Sequence, residues 1–137
     1  MITLVDTCVW SLALRRASGN LSVEEAEAVT LLRRAILDGK ARMPGVVRQE
    51  LLSGARQRQQ FEALLAATRA FDDMNLTIAD YEEAAACDNL CRSARISGST
   101  TDFLICAIAQ RRQWAILTVD KDFPRYARKL NLQLLPA

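Results

Sequence analysis

Residues 114–123 read WAILTVDKDF. Trp114 to Val119 is apolar, rich in β-branched side chains and bounded by polar residues, which predicts a buried strand. It runs directly into Asp120, with Asp122 two places on. The same arrangement opens the chain, where Ile2 to Val5, too short for a helix, leads straight into Asp6. Asp is rarely fully buried without a partner. A carboxylate at the end of a core strand therefore either caps the helix that follows or holds something.

Between these strands the pattern is mostly helical. Val9, Trp10, Leu12 and Ala13 predict a short helix ending near Ser18-Gly19-Asn20. Ser22 and Glu25 form a capping box that opens a helix running to Asp38-Gly39. Ala41 to Met43 predicts a brief strand. Helices follow from Val46 to about Gly54 and from Gln57 to Arg69, then a short strand over Ala70 to Met74. Thr77 or Asp80 caps an alanine-rich helix reaching Arg95. Ser97-Gly98-Ser99 breaks it, and Thr100 or Thr101 caps the helix Asp102 to Arg112. Phe123 to Leu130 forms a last short helix and Leu132 to Leu135 a closing strand. Strands alternating with helices predict an α/β fold around a mainly parallel sheet, in one domain spanning residues 1–137.

Half the residues are hydrophobic and 25% are charged, a balance that suits a folded, soluble domain. No apolar run approaches the roughly 18 residues of a membrane span. The N-terminus has no basic region followed by a long apolar stretch, so a cytosolic protein is expected. The net charge of +2 is too mild to announce nucleic acid. Basic residues do gather between Arg111 and Lys129, with smaller clusters at Arg15-Arg16 and at Arg56 and Arg58; solvated helix faces account for these equally well. The four cysteines, Cys8, Cys87, Cys91 and Cys106, lack the secreted context of a disulfide framework and read as small buried hydrophobes. The chain has no histidine, which excludes mixed zinc sites and Ser-His-Asp or Cys-His nucleophiles. Any chemistry runs on carboxylates.

In parallel α/β sheets, ligands bind at the carboxyl ends of the strands. Asp6 and Asp120 both stand there, at the same edge of the sheet. Asp102 sits in TTDFLICAIAQ, the first turn of an otherwise apolar helix, where it suits the helix dipole. Thr100 and Thr101 already supply capping hydroxyls, so the cap does not need Asp102. Glu50, in VVRQELLSG, lies beside Val47 and Leu51 on a face expected to be half-buried. Taken singly, each acid has a bland account as a cap or a solvated side chain.

In this order and spacing, LVDTCVW, VVRQELLSG, TDFLICAIA and LTVDKDF resemble the motifs of the PIN-domain nucleases, specifically the small VapC-type toxins of bacterial toxin–antitoxin pairs. The resemblance covers essentially the whole chain and implies a PIN-like three-layer α/β/α sandwich. Carried over residue by residue, it makes Asp6, Glu50, Asp102 and Asp120 the catalytic, metal-binding acids. Asp122, Thr7 and Thr118 fall at supporting positions, where a helix cap or a strand residue is the plainer role. The family implies RNA cut by hydrolysis, a homodimer, and a cognate antitoxin that blocks the site. Lys121, Arg112 and Arg125 would then hold the phosphate backbone.

The residues suit that chemistry. Clustered carboxylates repel one another and take up protons unless a cation is present. Hard oxygen donors suit Mg²⁺ or Mn²⁺ better than zinc. A haloacid-dehalogenase phosphatase would need a second Asp where Cys8 stands, and a phosphoacceptor receiver domain has a different layout of acids. Two further readings stay open: a catalytically silent PIN-like module that binds RNA or protein, and a non-toxin RNA-processing nuclease.

Overall fold

Strand β1 (Thr3–Val5) is only three residues long, yet all of them are buried. Successive strand residues point to opposite faces, so both faces of the sheet are covered. Strand β3 (Ala115–Leu117) is buried in the same way. Together with β2 (Ala41–Arg42) and β4 (Leu134–Leu135) they make a four-stranded, wholly parallel sheet in the order β2-β1-β3-β4. Leu4 faces Arg42 on one side and Ile116 on the other, and Leu117 faces Leu135. The computed structural model describes residues 1–15 and 18–137; Arg16 lies outside the described residues.

Among the described residues, seven α-helices surround this sheet as an α/β/α sandwich: α1 (Thr7–Arg15), α2 (Val23–Leu37), α3 (Gly45–Ser53), α4 (Arg58–Thr68), α5 (Ile78–Ser93), α6 (Thr100–Arg112) and α7 (Asp122–Tyr126). Helix α2 starts at the capping box: Ser22 Oγ accepts from the Glu25 N–H and the Glu25 carboxylate from the Ser22 N–H. Gly39 ends it at φ +68°, a left-handed position that glycine adopts without strain. Helix α2 packs on β2 and β3, whereas α6 packs on β3 and lies along α5. Every residue of α6 from Phe103 to Ala109 is buried. Such a helix is apolar all round because it sits between layers.

Several expectations fail locally. Residues 70–74 are irregular rather than a strand. The Arg48 guanidinium takes the carbonyls of Thr68 and Phe71, and the Phe71 ring packs edge-on against Trp10, with centroids 4.8 Å apart. The segment's apolar side chains therefore serve the core without its backbone joining the ladder. The cap of α6 is Ser99, whose Oγ accepts from the Asp102 N–H at 3.0 Å, so Thr100 and Thr101 are already helical. At α5 both candidates act: Thr77 is the N-cap, and Asp80 reaches back to its N–H at 2.8 Å. The closing elements are shorter than expected, with α7 ending at Tyr126 and β4 beginning at Leu134.

Candidate metal centre at the strand ends

Parallel pairing carries β1 and β3 out of the sheet together. The Asp6 N–H still bonds the Leu117 carbonyl at 2.9 Å, and the Asp6 carbonyl accepts from Val9 as α1 begins. Asp6 is 5% exposed, and each oxygen of its carboxylate has a protein donor. Oδ1 accepts from the Thr7 N–H, while Oδ2 accepts from the Thr118 hydroxyl, both at 2.8 Å. The Cys8 thiol also reaches Oδ2, at 3.5 Å. Burial, opposed by the Thr118 hydrogen bond and reinforced by the charge of Asp102, raises the Asp6 pKa to about 6. Burial also lifts the Cys8 thiol to about 11, with the Asp6 charge adding to the shift. It is a neutral donor here, not a nucleophile.

The turn after β3 supplies two more acids. The Asp120 N–H donates to Thr118 Oγ1 at 3.0 Å, and Asp120 Oδ1 accepts from the Asp122 N–H at 2.9 Å. Asp102 arrives from the other direction, in the first turn of α6, where its Oδ2 accepts from the Tyr126 hydroxyl at 2.6 Å. Asp102, Asp120 and Asp122 each present an oxygen, and these oxygens all lie within 4.8 Å of one another. Burial raises the Asp102 pKa; Tyr126 opposes that shift, and the charges of Asp120 and Glu50 add to it.

Glu50 stands at the rim. It is exposed rather than half-buried, because Val47 and Leu51 take the inward positions of α3. The Thr7 hydroxyl donates to its Oε1 at 2.7 Å, linking α1 to α3 across the mouth of the site. An open groove of about 450 Å³ lies beside it, lined by Gln49, Glu50 and Thr101 among others. A larger cavity of about 600 Å³, between the end of α2 and residues 70–74, holds none of these acids.

Of the basic residues, Lys121 and Arg125 are near this site and Arg112 is not. Lys121 Nζ bonds Glu24 at 2.9 Å and Arg125 bonds Asp122 at 3.1 Å; both pairs are solvent-exposed and weak. Arg112 lies at the far end of α6, about 15 Å along the helix from Asp102. There it and Arg111 grip the carboxylate of Asp80, which is fully buried. Arg112 is thus a structural cation, contrary to the expectation that it holds phosphate. Chiefly through Arg112, the pair holds Asp80 well below the usual carboxylate range.

Sequence reading also missed Tyr126 and Ser99. Nothing in the primary structure couples position 126 to position 102. The one hint is Gly98, where a side chain would overlap the Tyr126 ring and hydroxyl.

The donor set suits a hard divalent cation. Its ligand atoms are carboxylate oxygens, converging from separate elements and held by hydroxyl and amide donors that fix their orientation. The raised pKa values of Asp6 and Asp102 are what clustered, partly buried anions show without a counter-cation.

Comparison with known proteins agrees with this geometry. The chain matches the PIN domain family over residues 3–129. It is 32% identical, over 95% of each chain, to a VapC ribonuclease of Mycobacterium bovis, and equally to ribonuclease VapC11 of Mycobacterium tuberculosis. Among solved structures, VapBC2 of Rickettsia felis bound to a promoter DNA fragment superposes with a TM-score of 0.75 at 16% identity, covering 98% of this chain and 97% of that one. VapBC-1 of nontypeable Haemophilus influenzae gives 0.69 at 17% identity, covering 98% and 96%. At those identities the likeness speaks for the fold, while the sequence matches place the chain in the PIN-domain family, among the VapC-like ribonucleases.

Proposed function

We propose that this protein is a metal-dependent endoribonuclease, the toxin of a VapBC-type toxin–antitoxin pair, hydrolysing RNA phosphodiester bonds in the cytoplasm. The observation that carries the metal-dependent chemistry is the convergence of Asp102, Asp120 and Asp122 beside the buried strand-end Asp6. Asp102, Asp120 and Asp122, whose oxygens meet, would hold Mg²⁺ or Mn²⁺, with Asp6 and Glu50 completing the set of acids. When bound, such an ion supplies Lewis-acid stabilisation of phosphoryl oxygens and lowers the pKa of water.

The chain's own residues do the rest. Thr118 fixes Asp6 and the backbone of Asp120 through one hydroxyl, so two acids keep their places without relying on solvent. Thr7 holds Glu50 over the mouth, where its exposed carboxylate can accept a proton from an incoming water. Lys121 and Arg125 line the approach and attract a polyanion toward a site that would otherwise repel it. Chains of similar fold come from structures of VapBC. A cognate antitoxin, and a second copy of this chain, complete the reading; an antitoxin cation placed among the acids would compete with metal.

The test is cleavage of end-labelled tRNA and rRNA fragments with added Mg²⁺ or Mn²⁺, comparing the protein with Asp6→Asn. Metal-dependent cutting that disappears in the variant supports the proposal. RNA bound equally by both proteins, with no cutting at any metal concentration, replaces it with a silent binding module.

A further inference from the structure

Tyr126 is fully buried, yet it belongs to the surface helix α7, which is five residues long. Its ring lies between Phe103, with centroids 5.0 Å apart, and Phe123, at 5.3 Å. Those two contacts would serve a phenylalanine equally well. The hydroxyl is the part that packing does not explain. A buried phenol O–H needs an acceptor, and the acceptor here is Oδ2 of Asp102. The chain makes room for the phenol: any side chain at position 98 would overlap the Tyr126 hydroxyl and ring, and glycine stands there. Gly98, Tyr126 and Asp102 thus interlock across three separate segments: the turn before α6, α7, and the first turn of α6.

We infer that Tyr126 is a positioning residue for Asp102, holding one carboxylate oxygen from the protein side so that the other faces the acid cluster. This rests on the metal-centre reading above. An aspartate side chain at the start of a helix otherwise samples more than one rotamer. Tyr126 pins it, just as Thr118 pins Asp6 and Thr7 pins Glu50. Each of these acids therefore carries its own hydroxyl donor. Two of the donors are threonines, 112 and 43 positions from their acids, and the third is an aromatic residue 24 positions away.

The test is Mn²⁺ titration by calorimetry and by the metal-induced rise in Tm, on the unaltered protein, Tyr126→Phe and Asp102→Asn. Phenylalanine keeps the ring contacts, and the Tm rise remains readable if the variant is somewhat less stable. Tyr126→Phe is expected to weaken Mn²⁺ binding about tenfold, the usual consequence of losing a partner that orients a ligand. In cleavage assays the half-saturating Mn²⁺ concentration should shift by the same factor, with the rate at saturating Mn²⁺ largely recovered. A merely structural tyrosine would instead lower the rate at every metal concentration by the unfolded fraction. Unchanged Mn²⁺ affinity in Tyr126→Phe, with affinity lost in Asp102→Asn, overturns the role of Tyr126 alone. Unchanged affinity in Asp102→Asn overturns the metal centre itself.

Discussion

The side chain of Thr118 donates to Asp6 Oδ2 at 2.8 Å and accepts from the Asp120 N–H at 3.0 Å, so one hydroxyl sets the spacing of two strand-end acids. Thr118→Val keeps the β-branched shape and removes both bonds. Cleavage is expected to fall about tenfold or more, while the fold survives. Rate against metal concentration, read beside the Tm, checks this; an unaltered rate would mean that strand pairing alone fixes the two acids.

Asp6 is expected to destabilise the metal-free protein at neutral pH. Its folded pKa of about 6 lies above the ordinary 3.8. Its contribution is therefore favourable below pH 3.8 and is lost as pH rises through 6, where the buried carboxylate becomes charged. Asp6→Asn removes that charge. In metal-free buffer the variant should be the more stable above pH 6, by up to about 3 kcal/mol, and the gap should close toward pH 4. Saturating Mn²⁺ should reverse the order. Thermal melts across pH, with and without metal, decide it.

Asp80 behaves in the opposite sense. Arg112 and Arg111 depress its folded pKa below the ordinary carboxylate value, so its contribution is present above that value and is lost as pH falls through the folded one. Asp80→Asn leaves two guanidinium groups short of their partner and should destabilise by about 3 kcal/mol at pH 7. The difference from the unaltered protein should narrow on acidification. A variant equally stable at pH 7 would show that the ion pair and desolvation cancel.

Lys121 and Arg112 should separate cleanly in RNA binding. Lys121→Gln loses an exposed cation near the acids and should lower the slope of log affinity against log salt by about one. Arg112→Gln should leave that slope unchanged and lower the Tm, because its charge is spent on Asp80. Equal slopes for both variants and the unaltered protein would remove Lys121 from the RNA path.

The sequence exposes what is local. Apolar runs ending in Asp6 and Asp120, the box at Ser22 and Glu25, and the turn at Gly39 are all set by neighbours within a few residues, and the structure keeps each of them. What stays hidden depends on distant partners. Asp80 reads as a helix cap and is one, yet its other oxygen contacts come from more than thirty residues away. Residues 70–74 have strand-like composition, but Arg48 takes the Phe71 carbonyl that a ladder would need. Glu50 turns outward because helical spacing gives the core to Val47 and Leu51. The hydroxyl of Tyr126 is invisible until α7 folds back over α6.

The outermost strands, β2 and β4, are two residues long each. A peptide that tried to extend the sheet would find only that much unpaired backbone, too little for a stable added strand. Self-association by edge pairing is discouraged for the same reason. The exposed apolar side chains stand instead on helices, where Val23, Leu37 and Ile78 are 88%, 86% and 79% exposed. Residues on those helix faces can change without disturbing the sheet that holds the acids.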